Sequence, residues 1–203
     1  MSELQKAIEE IMYEGEKFPA RALKTIVANR DESLPYLRNA MDKAIAEGDD
    51  LEEDFQLHFY AVFLLGELQD RESFPKIIEL MKLPDEVLDY LLGDTLTSGL
   101  NDIFHNMYNG NIELLKNTIM DEDINEYVRA GLLDVMGQLY LDGVLEEKEW
   151  KGFIRQNVHS GKEHNYIYDA LATVICRCHF VDMLPEIRYM LEVLPQLPVF
   201  CFQ

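Results

Sequence analysis

A two-part phrase that returns about every 35 to 40 residues restricts this chain more than any other feature. Its clearest copy is LHFYAVFLLGELQDRESFPKIIELMKLP, Leu57 to Pro84: a nearly unbroken apolar run, a break at Asp70, and a restart at Phe74-Pro75 with helically spaced apolar residues. Viewed alone the run suggests a membrane segment. The chain's longest uncharged stretch, Phe55 to Gly66, falls short of the roughly 18 residues that a spanning helix needs. Leu65, Gly66 and Leu68 return as Leu100, Asn101 and Ile103 within Leu92–Ile103, then as Met136, Gly137 and Leu139 within Val128–Leu139. A looser copy runs from Ile167 to Cys176. Each copy meets a breaker (Asp70, Asn109-Gly110, Asp142-Gly143, Asp182) and then a second amphipathic segment, from Phe74, Ile112, Leu145 or Leu184. Short helices that cannot bury both faces alone gain a core by stacking, so the period predicts an all-α chain built as an α-solenoid, a superhelix of two-helix repeats.

Upstream, Ser2 and Gln5 have capping-box spacing, and Leu4, Ile8, Ile11 and Met12 form one stripe ahead of Gly15. Phe18-Pro19 and Leu34-Pro35 each read as a helix start, because proline in a first turn forfeits no intrahelical hydrogen bond. The acidic linker Gly48 to Asp54 reads as a solvated loop and helix N-terminus. Strict alternation is scarce, and no strand is expected. The chain then divides as a single helical-repeat domain, 1–203: N-terminal helices over 1–48, repeats over 52–84, 86–120, 124–159 and 164–194, and an apolar tail over 195–203. Ala61, Gly66, Gly131 and Gly137 would let neighbouring helices approach closely.

Eighteen Lys and Arg against 38 Asp and Glu give a formal charge of −20. Such a field repels nucleic-acid phosphates and acidic membrane surfaces, which argues for no nucleic-acid or membrane partner. It suits a basic protein or peptide, or simply a solvated acidic surface. Cys176, Cys178 and Cys201 form no disulfide framework, and Met1 to Lys6 shows no signal-peptide pattern, so a reducing cytoplasmic location is expected.

Motifs of chemistry do not assemble. Asp121 to Asn125 mimics the opening of a calcium loop, but Glu126 stands at the glycine position and Leu132 at the closing carboxylate, so a capped helix start is expected. Cys176, Cys178 and His179 resemble metal ligands with His164 as a fourth, yet helical residues two apart point about 200° apart, and buried thiols are expected instead. Five histidines include no His-Glu pair, Thr97-Ser98-Gly99 is no nucleophile elbow, and Gly161-Lys162 lacks the phosphate-loop glycine and Ser/Thr. No catalytic residue, metal site or cofactor is expected. One polar pattern persists: Asp94 and Asp169 share a repeat slot, with His58 and Arg129 one position earlier in theirs. Such groups among apolar neighbours either bond across repeats or form a binding strip on the concave face.

Val-Arg, then an Ala-containing stretch, then Leu/Met-Gly-x-Leu at Val128 to Leu139 resembles a HEAT repeat. The ordered phrases HFYAVFLLGEL, FPKIIELMKLP, LLGDTLT, NEYVRAGLLDVM, YDAL and LPEIR are similar to the bacterial domain-of-unknown-function family 1186, from about Phe18 to Met190. That resemblance implies a HEAT-like helical repeat protein with no established activity, often with a Cys-rich metal-binding SEC-C tail. This chain instead ends in VLPQLPVFCFQ, so the tail's zinc is not carried over. The expected function is a non-enzymatic interaction scaffold that binds a protein or peptide along a groove formed by the second helices. The alternative is an enzyme or a cofactor- or metal-handling HEAT-like protein. The apolar stretch Val193 to Phe202 calls for a cover, either its own last repeat or a second copy in a homo-oligomer.

Overall fold

The computed structural model describes residues 1–97, 99–159 and 165–193, and the chain divides into two compact units, Met1–Val128 and Arg129–Gln203. Among the described residues there are twelve α-helices and no strand beyond one isolated bridge between Tyr13 and Phe55, as the all-α reading predicts. His164, Cys201 and the tail 195–203 lie outside the described residues.

In the first unit, α1 (Glu3–Glu10) starts at the expected capping box: the Gln5 amide donates to Ser2 Oγ at 3.1 Å and the Ser2 amide to Gln5 Oε1 at 2.8 Å. It ends well before Gly15, because the chain beyond it pairs with the acidic linker. The Glu14 amide donates to the Asp54 carbonyl (2.8 Å) and the Gln56 amide to the Met12 carbonyl (2.9 Å). The linker is therefore a clamped segment with Leu51 buried, and Phe55 buried just after it, not only a solvated loop.

Helix α2 (Ala20–Ala28) follows Pro19 as expected. Helix α3 (Arg30–Glu47) starts a turn earlier than its proline suggests, so Pro35 lies inside it. Asp31 and Glu32 favour the positive end of the helix dipole, and the Ser33 amide donates to the Asn29 carbonyl at 3.0 Å, which closes the first turn ahead of the proline.

Helix α4 (Leu57–Glu67) packs against α3 and, farther along the chain, α7. Helix α5 (Phe74–Leu80) has Pro75 in its first turn and buries Phe74, Ile77, Ile78 and Leu80, the expected amphipathic second helix. The next copy departs from expectation. In place of one helix over 92–103, α6 (Asp85–Leu92) and α7 (Leu100–Met107) flank a 3-10 segment, Gly93–Thr97. Gly93 (φ +51°) and Gly99 (φ +94°) adopt left-handed backbone that glycine tolerates and other residues resist, so the helix breaks there. Helix α8 (Ile112–Met120) is capped by Asn111, whose side chain accepts from the Leu114 amide at 3.1 Å. The 121–125 run does the same for α9 (Glu126–Leu141): Asn125 Oδ1 accepts from the Tyr127 amide at 2.9 Å, and Ile124 is buried.

The second unit contains most of α9 with α10 (Glu147–Val158), α11 (Asn165–Arg177) and α12 (Leu184–Val193). Trp150, Ile154, Val158, Ile167 and Leu171 are buried in its core, with Trp150 and Phe153 stacked at 6.1 Å. Close approach of α11 to α9 depends on Gly137: a Cβ there would lie 3.1 Å from Arg177 Nη2 and 3.5 Å from Val174 Cγ1. Arg177 also forms an ion pair with Asp134. The expected pair of buried thiols is half right: Cys178 is buried and Cys176 exposed, since positions two apart on a helix face opposite ways.

Candidate functional site

The four polar residues singled out by repeat position differ in burial. In the first unit, His58 on α4 is 6% exposed and Asp94, in the 3-10 segment, is exposed; in the second, Arg129 on α9 is 1% exposed and Asp169 on α11 is exposed. His58 lies flat against Phe55 (5.9 Å, 12°), and its Nε2–H donates to the Leu91 carbonyl at 2.8 Å, linking α4 to α6. Burial pulls its pKa below 6.5, only partly offset by its interactions with the Leu91 and Phe55 backbone, which favours the neutral ring. This is a tie between copies, one of the two roles that the repeat slot suggested.

Sequence reasoning missed a cavity of about 530 Å³ along α4 and α7 in the first unit. Phe59, Tyr60 and Phe63 of α4 and Phe18 ahead of α2 wall it, with Phe18 76% and Phe63 37% exposed. Phe59 and Phe63 are tilted at 56° with centroids 5.1 Å apart, and Phe59 and Tyr60 meet edge-on at 6.0 Å. Gly66 and Ile103 form the close contact between the two helices: a Cβ on Gly66 would lie 3.2 Å from the Ile103 side chain and 3.3 Å from its Cα. Glu67 on α4 and Asp102 on α7, both exposed, contribute carboxylates. No Lys or Arg is among the described lining residues.

The signal was present in outline. Phe59, Phe63 and Glu67 are spaced i, i+4 and i+8, a single stripe of α4, but the helix is apolar all round and periodicity could not show which face stays open. By contrast, the outward residues of α5 are Pro75, Lys76 and Glu79, and Lys76 is engaged with Asp42 (2.8 Å) and Glu79 (3.2 Å). The open aromatic surface therefore lies on a first helix, not on the second helix beside it.

The model of the protein-of-unknown-function family DUF1186 matches residues 2–192. The chain belongs to this family. Two relatives, an uncharacterized protein of Chlamydia trachomatis and one of Chlamydia muridarum, are each 24% identical over 178 residues; the alignments cover 86% of this chain and 70% and 71% of theirs. No solved structure matches the chain. The DUF1186 match takes in every wall of the aromatic cavity and His58, Asp94, Arg129 and Asp169. In this DUF1186 chain no group of three or more His, Cys, Asp or Glu among the described residues is placed to hold a metal ion. Nor is any helix among them long and apolar enough to cross a membrane.

Proposed function

We propose that this chain is a non-enzymatic, cytoplasmic interaction protein, a solenoid of HEAT-like two-helix repeats that receives a peptide segment of a partner protein in the aromatic cavity along α4 and α7. The observation that carries the reading is the cavity itself: four aromatic side chains wall about 530 Å³, and two of them stay well exposed. Contiguous aromatic surface left open to water marks a place where a partner removes it from water, and aromatic anchors supply much of the binding energy at such places. The volume accommodates a few side chains of an extended segment, not a second folded domain. With a net charge of −20, a nucleic-acid strand is a poor occupant.

The test is a photocrosslink from the cavity. With Phe63 replaced by p-benzoylphenylalanine, irradiation in cells should yield a discrete protein adduct, and the same replacement at Tyr36, equally exposed at 37%, should not. Equal labelling from both positions, or purified protein that retains a metal, chromophore or nucleotide and gives no adduct from position 63, would overturn the reading.

A further inference from the structure

Resting on that reading, we infer that the occupant is anchored by an arginine side chain, stacked on the rings of the α4 cavity and held between Glu67 and Asp102. An acidic excess leaves many carboxylates without cations in this chain, so an unpaired Asp or Glu is by itself ordinary. These two differ in place: they come from two different helices and border the same aromatic cavity. Neither has an ion-pair or hydrogen-bond partner among the described residues.

The rings themselves lack a cation. Aromatic faces carry negative electrostatic potential and attract cations within about 6 Å. The fold uses this attraction elsewhere, with Lys43 Nζ 4.2 Å from the centre of Phe55 and Lys151 Nζ 4.5 Å from the centre of Phe180. Among the described residues no cation lies over Phe18, Phe59, Tyr60 or Phe63. A group that completes the site should therefore be flat, cationic and cheap to desolvate on one face, while offering donors at its edge. Guanidinium meets all of these: it stacks on aromatic faces, is weakly hydrated, and presents a planar fork of N–H donors to carboxylates. An ammonium shares the charge but holds its water more strongly and cannot stack. The apolar remainder of the cavity, with Leu64 and Ile103, suits an aliphatic neighbour of that arginine.

The experiment pans a phage-displayed library of random dodecapeptides against the full chain at low salt and measures the enriched peptides by fluorescence anisotropy. Enriched peptides should carry an arginine beside an apolar residue. Replacing that arginine by citrulline, which keeps the shape and loses the charge, should weaken binding about tenfold, and by lysine severalfold. Asp102→Asn, Glu67→Gln and Phe63→Leu should each weaken it about three- to tenfold, and their urea unfolding curves should match wild type. If citrulline peptides bind as well as arginine peptides but Phe63→Ala abolishes both, the arginine anchor is wrong and the cavity remains a peptide site. If nothing enriches, or if enriched peptides bind Phe63→Ala undiminished, the cavity reading fails with it.

Discussion

After α4 the chain turns at Gln69, and after α11 it turns at His179; both residues adopt left-handed backbone, with φ of +52° and +56°. The bonding around them is the same. The Gln69 amide donates to Gly66 and the Asp70 amide to Leu65 (3.1 and 2.9 Å), while the His179 amide donates to Cys176 and the Phe180 amide to Ile175 (3.0 and 3.1 Å). These are the paired bonds of a Schellman cap, and each is followed by a 3-10 turn and a Pro-bearing helix, α5 or α12. The residue just past the turn differs. Asp70, 2% exposed, accepts from Arg38 Nε (2.9 Å), Arg38 Nη2 (2.6 Å) and the Ser73 hydroxyl. Phe180, 4% exposed, packs on Tyr140 (4.9 Å) beneath Lys151, and buried Met183 takes the place of Ser73. One backbone corner thus accepts either a polar or an apolar anchor, provided that both anchor positions change together.

The contrast breaks most visibly at Phe180. Phe180→Ala removes a buried ring and should cost about 3–4 kcal/mol in urea unfolding, with faster hydrogen exchange concentrated in α11 and α12. Asp70→Ala should cost less, about 2 kcal/mol, because the Arg38 guanidinium keeps Glu72 (2.9 Å) and, already 35% exposed, can recover water. If the polar corner proved the costlier, the view of interchangeable anchors would fail.

The corners also differ toward acid. Burial alone would raise the Asp70 carboxyl, but the hydrogen bonds from Arg38 and Ser73 and the charge of Arg38 outweigh it and hold the group below 3.8. A carboxyl depressed by folding stabilises the fold above its unfolded pKa, and that contribution disappears as pH falls from about 3.8 through the folded value. Stability should therefore fall over this acid range in wild type and less steeply in Asp70→Asn. Phe180→Leu should retain the wild-type slope, since the phenyl ring does not titrate and the Lys151–Asp182 ion pair beside it (2.7 Å) remains. Parallel unfolding curves at pH 5 and pH 3 measure the difference, and equal slopes for wild type and Asp70→Asn would remove the acid distinction.

Much of this architecture was legible because helices announce themselves by spacing: the Ser2 cap, the Pro75 and Pro185 restarts and the Gly66 and Gly137 contacts follow from local chemistry. What failed depended on tertiary partners. Pro35 resembles a first-turn proline, but a helix can start upstream of it when acidic residues favour the earlier turn. Repeat position alone did not indicate burial, so His58 and Arg129 lie inside while Asp94 and Asp169 face water. The break at Gly93 and Gly99 separates the second copy from its template, and a helix as uniformly apolar as α4 gives no hint that Phe59 and Phe63 line an opening. The shared corner was hidden because neither Gln69 nor His179 is the glycine that usually marks a left-handed cap.

A third turn supplies that glycine. Gly143 (φ +74°) follows α9, and the Val144 amide donates to Leu139 at 2.8 Å, the same long bond made by Asp70 and Phe180. Left-handed backbone costs a side-chain-bearing residue roughly 1 kcal/mol, and glycine's extra freedom in the unfolded chain returns about half of that. Gln69→Gly and His179→Gly should therefore each stabilise the protein by about 0.5 kcal/mol in urea unfolding, and Gly143→Ala should destabilise it by the same amount, roughly 0.5 kcal/mol. Equal gains at 69 and 179 would show that the two corners differ only in their anchors. A gain at one corner alone would mean that the other exposed side chain, Gln69 or His179, holds its turn through a contact of its own, and the equivalence would then stop at the backbone.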